Sequence, residues 1–329
     1  MRLRRFWYFV ARNGTLFGAI LLALFFYSWN VNFLSLANLR NIGEALSALG
    51  VVAIPLSLLV IAGAVDLSVG SVASLAGIVA ASVMVSTGSV VAGIAAGLCV
   101  GLVAGTINGV LVSYLKFNPI VITLGSLSVW GGLALQVTGG RTVAGLPEGF
   151  TDLSLLRFAG IPLEVFILAA AILYGVLVLE FMPYGRRLRA VGGSNRAAFL
   201  MGVAVERVQF WMFIQVGLAS ALAGIMLASK LAAATPITGQ GLELNALTVV
   251  LLGGVAFAGG IGRMAGVLAG LLFVGVLRNG LAFMNTSQFL QQVLVGLTLI
   301  VAIVFDETIR KFARSRWEDA TSAPPAETK

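Results

Sequence analysis

The chain has 329 residues, 59% of them hydrophobic and only 10% charged, with no histidine, a single cysteine and a formal net charge of +8. A soluble domain is about a quarter charged and under half apolar, so a soluble fold of this size is excluded and lipid must be the solvent for much of the surface. Without histidine, imidazole metal sites, Ser-His-Asp and Cys-His catalysis and histidine proton relays fall away as well. Cys99 lies in an apolar run, has no intrachain partner for a disulfide, and is expected to be a small packed side chain.

A helix needs about 20 mainly apolar residues to cross a bilayer. In chain order, ten candidate spans satisfy or approach that length: 15–31, 45–64, 69–87, 90–115, 119–138, 161–181, 210–230, 244–260, 264–283 and 288–305. The stretches 69–87 and 244–260 are short or broken by glycine, which suits half-helices or re-entrant elements and lowers the count of full crossings to as few as eight. The expected fold class is an all-α integral membrane protein of about ten transmembrane or re-entrant helices. Its parts are a cytoplasmic N-terminal segment (1–14), a transmembrane domain (15–305) with a cytoplasmic loop at about 183–208, and a polar, proline-bearing tail (306–329) expected to be partly disordered. The opening MRLRRFWYFVARNG is basic, but the apolar stretch behind it is long, ends in aromatics and lacks a small-x-small cleavage site, which predicts an uncleaved first helix.

With the N-terminus in the cytoplasm and ten crossings, sixteen of the 21 Lys and Arg fall on the cytoplasmic side, leaving Arg40, Arg141, Arg157, Lys230 and Arg278 outside. That bias follows the positive-inside rule, places both termini in the cytoplasm and explains the basic charge without nucleic acid. No soluble segment is long enough for a nucleotide-binding or ligand-binding domain, which typically needs about 100 residues.

Gly93, Gly97, Gly101, Gly105 and Gly109 recur every four residues, and Gly262, Gly266 and Gly270 repeat the device. Such a ridge lets a neighbouring helix approach backbone to backbone, and packing within one chain is favoured over a dimer face. Asp66, in AGAVDLSVGS, is an intramembrane carboxylate that must be paired or capping. It precedes LSVGSVASLAG, where it would cap the next helix, with a direct substrate or gating role as the alternative. Asp66, Ser68, Asn118, Thr123, Ser126 and Asn245 are candidates for the translocation pathway or its gating. Asn108, Gln136, Gln288, Gln291 and Gln292 are further polar side chains of the same kind; hydroxyls and amides suit a hydroxylated substrate as well as ordinary interhelical bonds. Paired intramembrane carboxylates are missing and no lysine follows the glycine pattern of a Walker A loop, so an ATPase, if one drives the chain, is a separate protein. Catalytic residues, metal ligands and cofactor-binding residues are expected to be absent from this chain.

In GRRLRAVGGSNRAAFLMGVAVERV, Ser194 or Asn195 can cap a short helix that Ala197 and Ala198 favour and Gly202 ends. On physics alone this is equally a docking element or a solvated basic loop. Four stretches lend it meaning: AGAVDLSVGSVASLAG (62–77), GTINGVLVSYLKFNPIVITLGSLSVWGG (105–132), RAVGGSNRAAFLMGV (189–203) and LELNALTVVLLGGVAFAGGIGRMAGVLAG (242–270). Through them the chain resembles, over nearly all of residues 40–305, the membrane-spanning permease subunit of carbohydrate ABC importers of the ribose/xylose/rhamnose and autoinducer-2 type. The resemblance implies an ABC-importer permease fold, and a permease pair that binds two cytoplasmic ATPases through a coupling helix. A second copy or a paralogue would complete the pair, and a periplasmic or lipid-anchored binding protein would deliver the solute. Gly193, Ser194, Asn195, Arg196, Ala197, Ala198 and Gly202 would form the coupling element; Arg196 stands near where such loops often carry an acidic residue. ATP and Mg would be used by the partner ATPase alone, the cargo would be a sugar or sugar-like solute, and the location would be the bacterial plasma membrane. Nucleosides or branched-chain amino acids are the nearest alternative cargoes, and a stand-alone facilitator or secondary transporter is the alternative of a different class.

Overall fold

The computed structural model describes residues 13–287, 289–301 and 304. The N-terminal basic stretch, Gln288 and the tail beyond 304 lie outside the described residues. The chain opens with helix α1 (Gly14–Trp29), a 3-10 turn (Val31–Leu34) and α2 (Leu36–Ile61). Then come α3 (Val69–Thr87), α4 (Val90–Gly109) extended by a π-helical turn (Val110–Tyr114), and α5 (Pro119–Thr138). A short helix α6 (Glu148–Leu155) and a two-stranded hairpin, β1 (Arg157–Phe158) with β2 (Ile161–Pro162), lead into α7 (Leu163–Val176), which also ends in a π-helical turn (Leu177–Phe181). Next are α8 (Pro183–Gly193), α9 (Asn195–Leu200) and α10 (Val205–Lys230). The half-length helix α11 (Leu242–Leu252), α12 (Met264–Phe283) and the apolar α13 (Phe289–Val301) complete the fold. Among the described residues, seven helices are long and apolar enough to cross a membrane. The chain is a multi-pass, all-α membrane protein.

Several boundaries move from those the sequence suggests. α2 begins at Leu36 rather than 45, because the polar residues at its start find partners. Asn38 and Asn279 exchange two amide hydrogen bonds (2.8 and 3.1 Å), and Glu44 pairs with Lys230 at 3.0 Å. α3 is a full 19-residue helix and so is not broken by its glycines. The 244–260 stretch is broken: α11 stops at Leu252, and Gly253 and Gly254 close its end.

The glycine ridge of α4 packs inside the chain. A Cβ on Gly97 would lie 2.9 Å from the Ala76 carbonyl oxygen of α3, and one on Gly105 would lie 2.6 Å from the Phe213 carbonyl oxygen of α10. Gly266 and Gly270 bring α12 equally close to the backbone of α11 at Gly253 and Val249. The contacts that α3, α4 and α10 make through glycine leave Cys99 on the outer side of α4, exposed rather than packed. Two apolar cores result. The larger is centred on α2, α10, α11 and α12, and the smaller lies where α3, α6 and α10 meet around Met84, Phe150 and Ile225.

Ion pairs sort the helix ends into two sides. Lys116, after α4, meets Glu206 at the start of α10 at 2.7 Å. At the opposite end of α10, Lys230 meets Glu44 of α2 and, at 3.9 Å, Glu164 of α7. The sequence places these same two groups on opposite sides of the membrane. Arg278, counted with the outer cations, lies within α12, as the span 264–283 has it.

Candidate functional site

Two regions carry the candidate residues, one at the end of the bundle where α8 and α9 lie and one inside it. In the first, Ser194 is the N-cap of α9, its hydroxyl accepting from the Ala197 amide at 3.2 Å, and Gly202 leaves the helix with φ +80°. The short helix is therefore the one its residues prescribe. Its inner face is Ala198, which is only 3% exposed and so packs against the bundle. In a six-residue helix a small residue one turn from the cap packs against the bundle. Outward lie Phe199, Leu200 and Met201, 64%, 75% and 83% exposed. Gly193, Ser194, Asn195, Arg196, Ala197 and Gly202 are exposed. Three consecutive exposed apolar residues on a polar loop form a patch of the kind that docks a partner.

This patch is tied firmly to the membrane helices. Arg189 of α8 donates to Glu180 Oε2 at 2.9 Å and to the Leu179 carbonyl at 3.1 Å, while Glu180 Oε1 accepts the Met264 amide at the start of α12 (3.1 Å). Gly192 packs so closely on Ile61 and Gly260 that any side chain there would collide with backbone, and the Gly260 amide donates to the Ile61 carbonyl at 2.8 Å. The Tyr184 hydroxyl donates to the Val208 carbonyl at 3.2 Å. Burial, reinforced by nearby Tyr174 and opposed by Arg187, pushes that hydroxyl up to about 12, so it stays a neutral donor at physiological pH. α8, which leads into α9, is thus joined to α2, α10 and the start of α12 by short polar and backbone contacts. Arg189, Glu180 and Gly192 are not marked as fasteners by any local signal, since Glu180 and Gly192 meet residues far away in the chain.

Inside the bundle the six pathway candidates separate into three places. Asp66, Ser68 and Ser126 join one buried network. The Ser68 amide and hydroxyl donate to Asp66 Oδ1 at 2.8 and 2.6 Å. Asn108 Nδ2 donates to Asp66 Oδ2 (3.3 Å) and Ser68 Oγ (3.0 Å), and the Ser126 hydroxyl donates to Asn108 Oδ1 at 2.6 Å. Asp66 therefore receives the amide of the N-cap residue rather than those of the first helical turn, and it ties the α2–α3 connection to α4 and α5. Each donor is matched by an acceptor, which is what a buried polar cluster requires. Asn118 caps α5, accepting the Ile120 amide at 2.9 Å, and Thr123 donates back to the Pro119 carbonyl at 2.8 Å; both are local helix bonds. Asn245 stands apart: its Oδ1 accepts from Arg278 at 2.7 Å, and both line a polar cavity of about 370 Å³ with Gln291 and Gln292.

Asp66→Ala is expected to destabilise the folded chain by about 3 kcal/mol, because it strands the Ser68 and Asn108 donors in a buried site. Asp66→Asn, which keeps one acceptor, should cost less. Thermal unfolding of the detergent-solubilised protein measures both, and equal midpoints for wild type and Asp66→Ala would show that the network carries no stability.

The matches to known proteins agree with this geometry. A family model described as "Branched-chain amino acid transport system / permease component" matches residues 38–303. The L-arabinose transport system permease protein AraH of Escherichia coli (strain K12) is 38% identical over 284 residues, which cover 86% of this chain and 87% of that protein. The ribose import permease protein RbsC of Bacillus subtilis (strain 168) is 37% identical over 295 residues, 89% of this chain and 92% of that protein. The L-arabinose ABC transporter permease protein AraH of Azospirillum brasilense is 32% identical over 310 residues, 94% and 91% of the two chains. No solved structure matches the chain. The match takes in both the glycine-packed bundle and the helix that stands out from it, and the chain belongs to the family of permease components of the branched-chain amino acid transport system type.

Proposed function

We propose that the chain is the membrane subunit of an ABC importer for a sugar or sugar-like solute, in a bacterial plasma membrane with both termini in the cytoplasm. The observation that carries this reading is α9, an exposed apolar knob directly following α8, which is itself fastened to the membrane helices, the form required of an element that a separate ATPase pushes on. The chain itself performs no covalent chemistry. ATP and Mg would be used by cytoplasmic ATPase subunits docked on α9. Gly193 to Ala197 and Gly202 shape that docking loop, Phe199 to Met201 supply its apolar contact, and Ala198 braces it from behind. Closure of the ATPases would move α8 and α9 and switch a pair of permeases between outward and inward access, a rigid-body two-state change. The second permease would be another copy or a paralogue, and a periplasmic or lipid-anchored binding protein would supply the solute.

The pentose cargoes in the names of these relatives support a sugar for this chain, as does a cavity in which amides and a guanidinium stand beside apolar side chains. Branched-chain amino acids are the second reading, favoured by the family description alone.

The test is uptake of L-arabinose and D-ribose into proteoliposomes. We expect flux only when the ATPase, ATP and the loaded binding protein are all present. Flux through the purified chain alone, down a gradient, would establish a stand-alone carrier and sink the importer reading. In cells, a tag near Glu148 should be reached from outside only, and one near Gly202 from the cytoplasm only.

A further inference from the structure

α12 carries one charged side chain, Arg278. It lies fourteen positions beyond Met264, so at 1.5 Å per residue it is roughly 21 Å along the helix, inside the apolar slab of a bilayer. An arginine at that depth marks a functional position unless a nearby carboxylate pairs with it. Among the described residues the ion pairs involve Lys116, Arg157, Arg189 and Lys230, and none includes Arg278. Its one hydrogen bond runs from Nη2 to Asn245 Oδ1 at 2.7 Å. That bond uses one of five guanidinium N–H groups. It anchors the fork to α11 beside the cavity of about 370 Å³ that Arg278 helps to line.

The cavity wall determines what the fork can hold. Gln240, Gln291 and Gln292 add amide groups beside the apolar Leu244, Val295 and Leu299, and among the described residues no Asp or Glu belongs to the wall. Gln291 spends its amide nitrogen on the Thr286 carbonyl (3.0 Å), which leaves its oxygen as an acceptor. Donors from the guanidinium and an acceptor from an amide oxygen match hydroxyl groups, which both accept and donate. A solute carboxylate would make a bidentate, charge-assisted pair with the fork in a low-dielectric site. Passage requires binding weak enough to release, so a neutral solute fits this wall better than an anion.

We propose that Arg278 is a specificity-determining residue of the solute passage, its guanidinium fork donating to neighbouring hydroxyls of a neutral polyol while Asn245 holds the fork in place. The proposal deepens the sugar reading above and rests on it.

The experiment uses the complete importer, permease with ATPase and binding protein, in proteoliposomes with the binding protein saturated by each probe, so that discrimination reports the membrane step. Whichever of L-arabinose and D-ribose is carried is compared with its 2-deoxy form and with its aldonate. Wild type should prefer the parent sugar to both. Arg278→Met should lower the preference for the parent over the deoxy form roughly tenfold, the worth of one charge-assisted hydrogen bond. Arg278→Lys, a cation without the fork, should restore only a small part of it, and Asn245→Ala should weaken it in the same direction. Thermal unfolding and co-elution with the ATPase verify that each variant is folded and assembled, and a purely structural role would not move the sugar-to-deoxysugar ratio. An unchanged ratio in folded Arg278→Met overturns the inference while leaving the sugar importer standing. Faster uptake of the aldonate by wild type also overturns it, in favour of an anion site. A wild-type complex that moves neither pentose overturns the sugar reading and this inference together.

Discussion

Leu200→Asp is expected to abolish substrate-stimulated ATP hydrolysis and uptake in the assembled importer while leaving insertion and folding of the chain intact. Leu200 is 75% exposed at the end of α9, so the free protein loses no packing when it is changed. In the docked state the new carboxylate would be buried against the ATPase without a partner, which commonly costs about 3–5 kcal/mol, enough to dismantle a small interface. Ala198→Asp should fail differently. With Ala198 only 3% exposed and part of the larger apolar core, the charge enters the permease itself and lowers its unfolding temperature. Co-purification with the ATPase, read beside the thermal unfolding midpoint, separates the two. If Leu200→Asp binds and drives the ATPase as wild type does, α9 is not the coupling surface.

The contrast between Leu200 and Ala198 shows where the sequence stops being informative. Caps, helix-formers and the closing glycine foretell the helix at 195–200 to within a residue, because those signals are local. Which side of so short a helix faces inward depends on the bundle around it, and six residues carry too little periodicity to say. The same division runs through the membrane. The span 264–283 is legible to the residue, because an apolar run begins just after Arg263 and the adjacent Arg278 and Asn279 are too few to interrupt it. The start of α2 is not, because Arg40, Glu44 and Asn38 read as loop residues until Asn279 and Lys230, far away in the chain, are seen to meet two of them. Arg278 is counted by charge with the outer cations although it falls within the span 264–283, and its bond to Asn245 of α11 emerges only from the fold. Asp66 is recognisable as an unusual carboxylate, yet its partner Asn108, and Ser126 that in turn bonds Asn108, lie on two later helices whose rotation the sequence leaves open. Helix existence is thus encoded in composition and caps, whereas convergence of polar groups is a product of packing.

Packing itself yields the other large expected effect. Gly101→Leu should unfold or misassemble the chain, with a loss of more than about 3 kcal/mol, the upper end of what overpacking ordinarily costs. Gly101 on α4 and Gly217 on α10 face each other, and a Cβ on either would press into the carbonyl oxygen of the other; from Gly101 it would also lie 2.6 Å from the Ala221 Cβ. Backbone cannot move aside as a flexible side chain can, and Gly105 repeats the contact one turn on, 2.8 Å from the Ile214 Cα. Separating the two helices at Gly101 therefore opens the seam along several turns, including the stretch that leads to Asn108 and its bonds to Asp66 and Ser68. Leu98→Ala, at a half-buried position beside the smaller core, removes apolar area without moving backbone and should cost only about 1 kcal/mol. Thermal unfolding in detergent, compared across wild type, Gly101→Ala, Gly101→Leu and Leu98→Ala, gives the order directly. Gly101→Ala should already fall below Leu98→Ala, since a single methyl meets the carbonyl. If Gly101→Leu unfolds at the wild-type temperature and still transports, the ridge does not join α4 to α10, and the close approach that organises this half of the bundle is absent in the membrane.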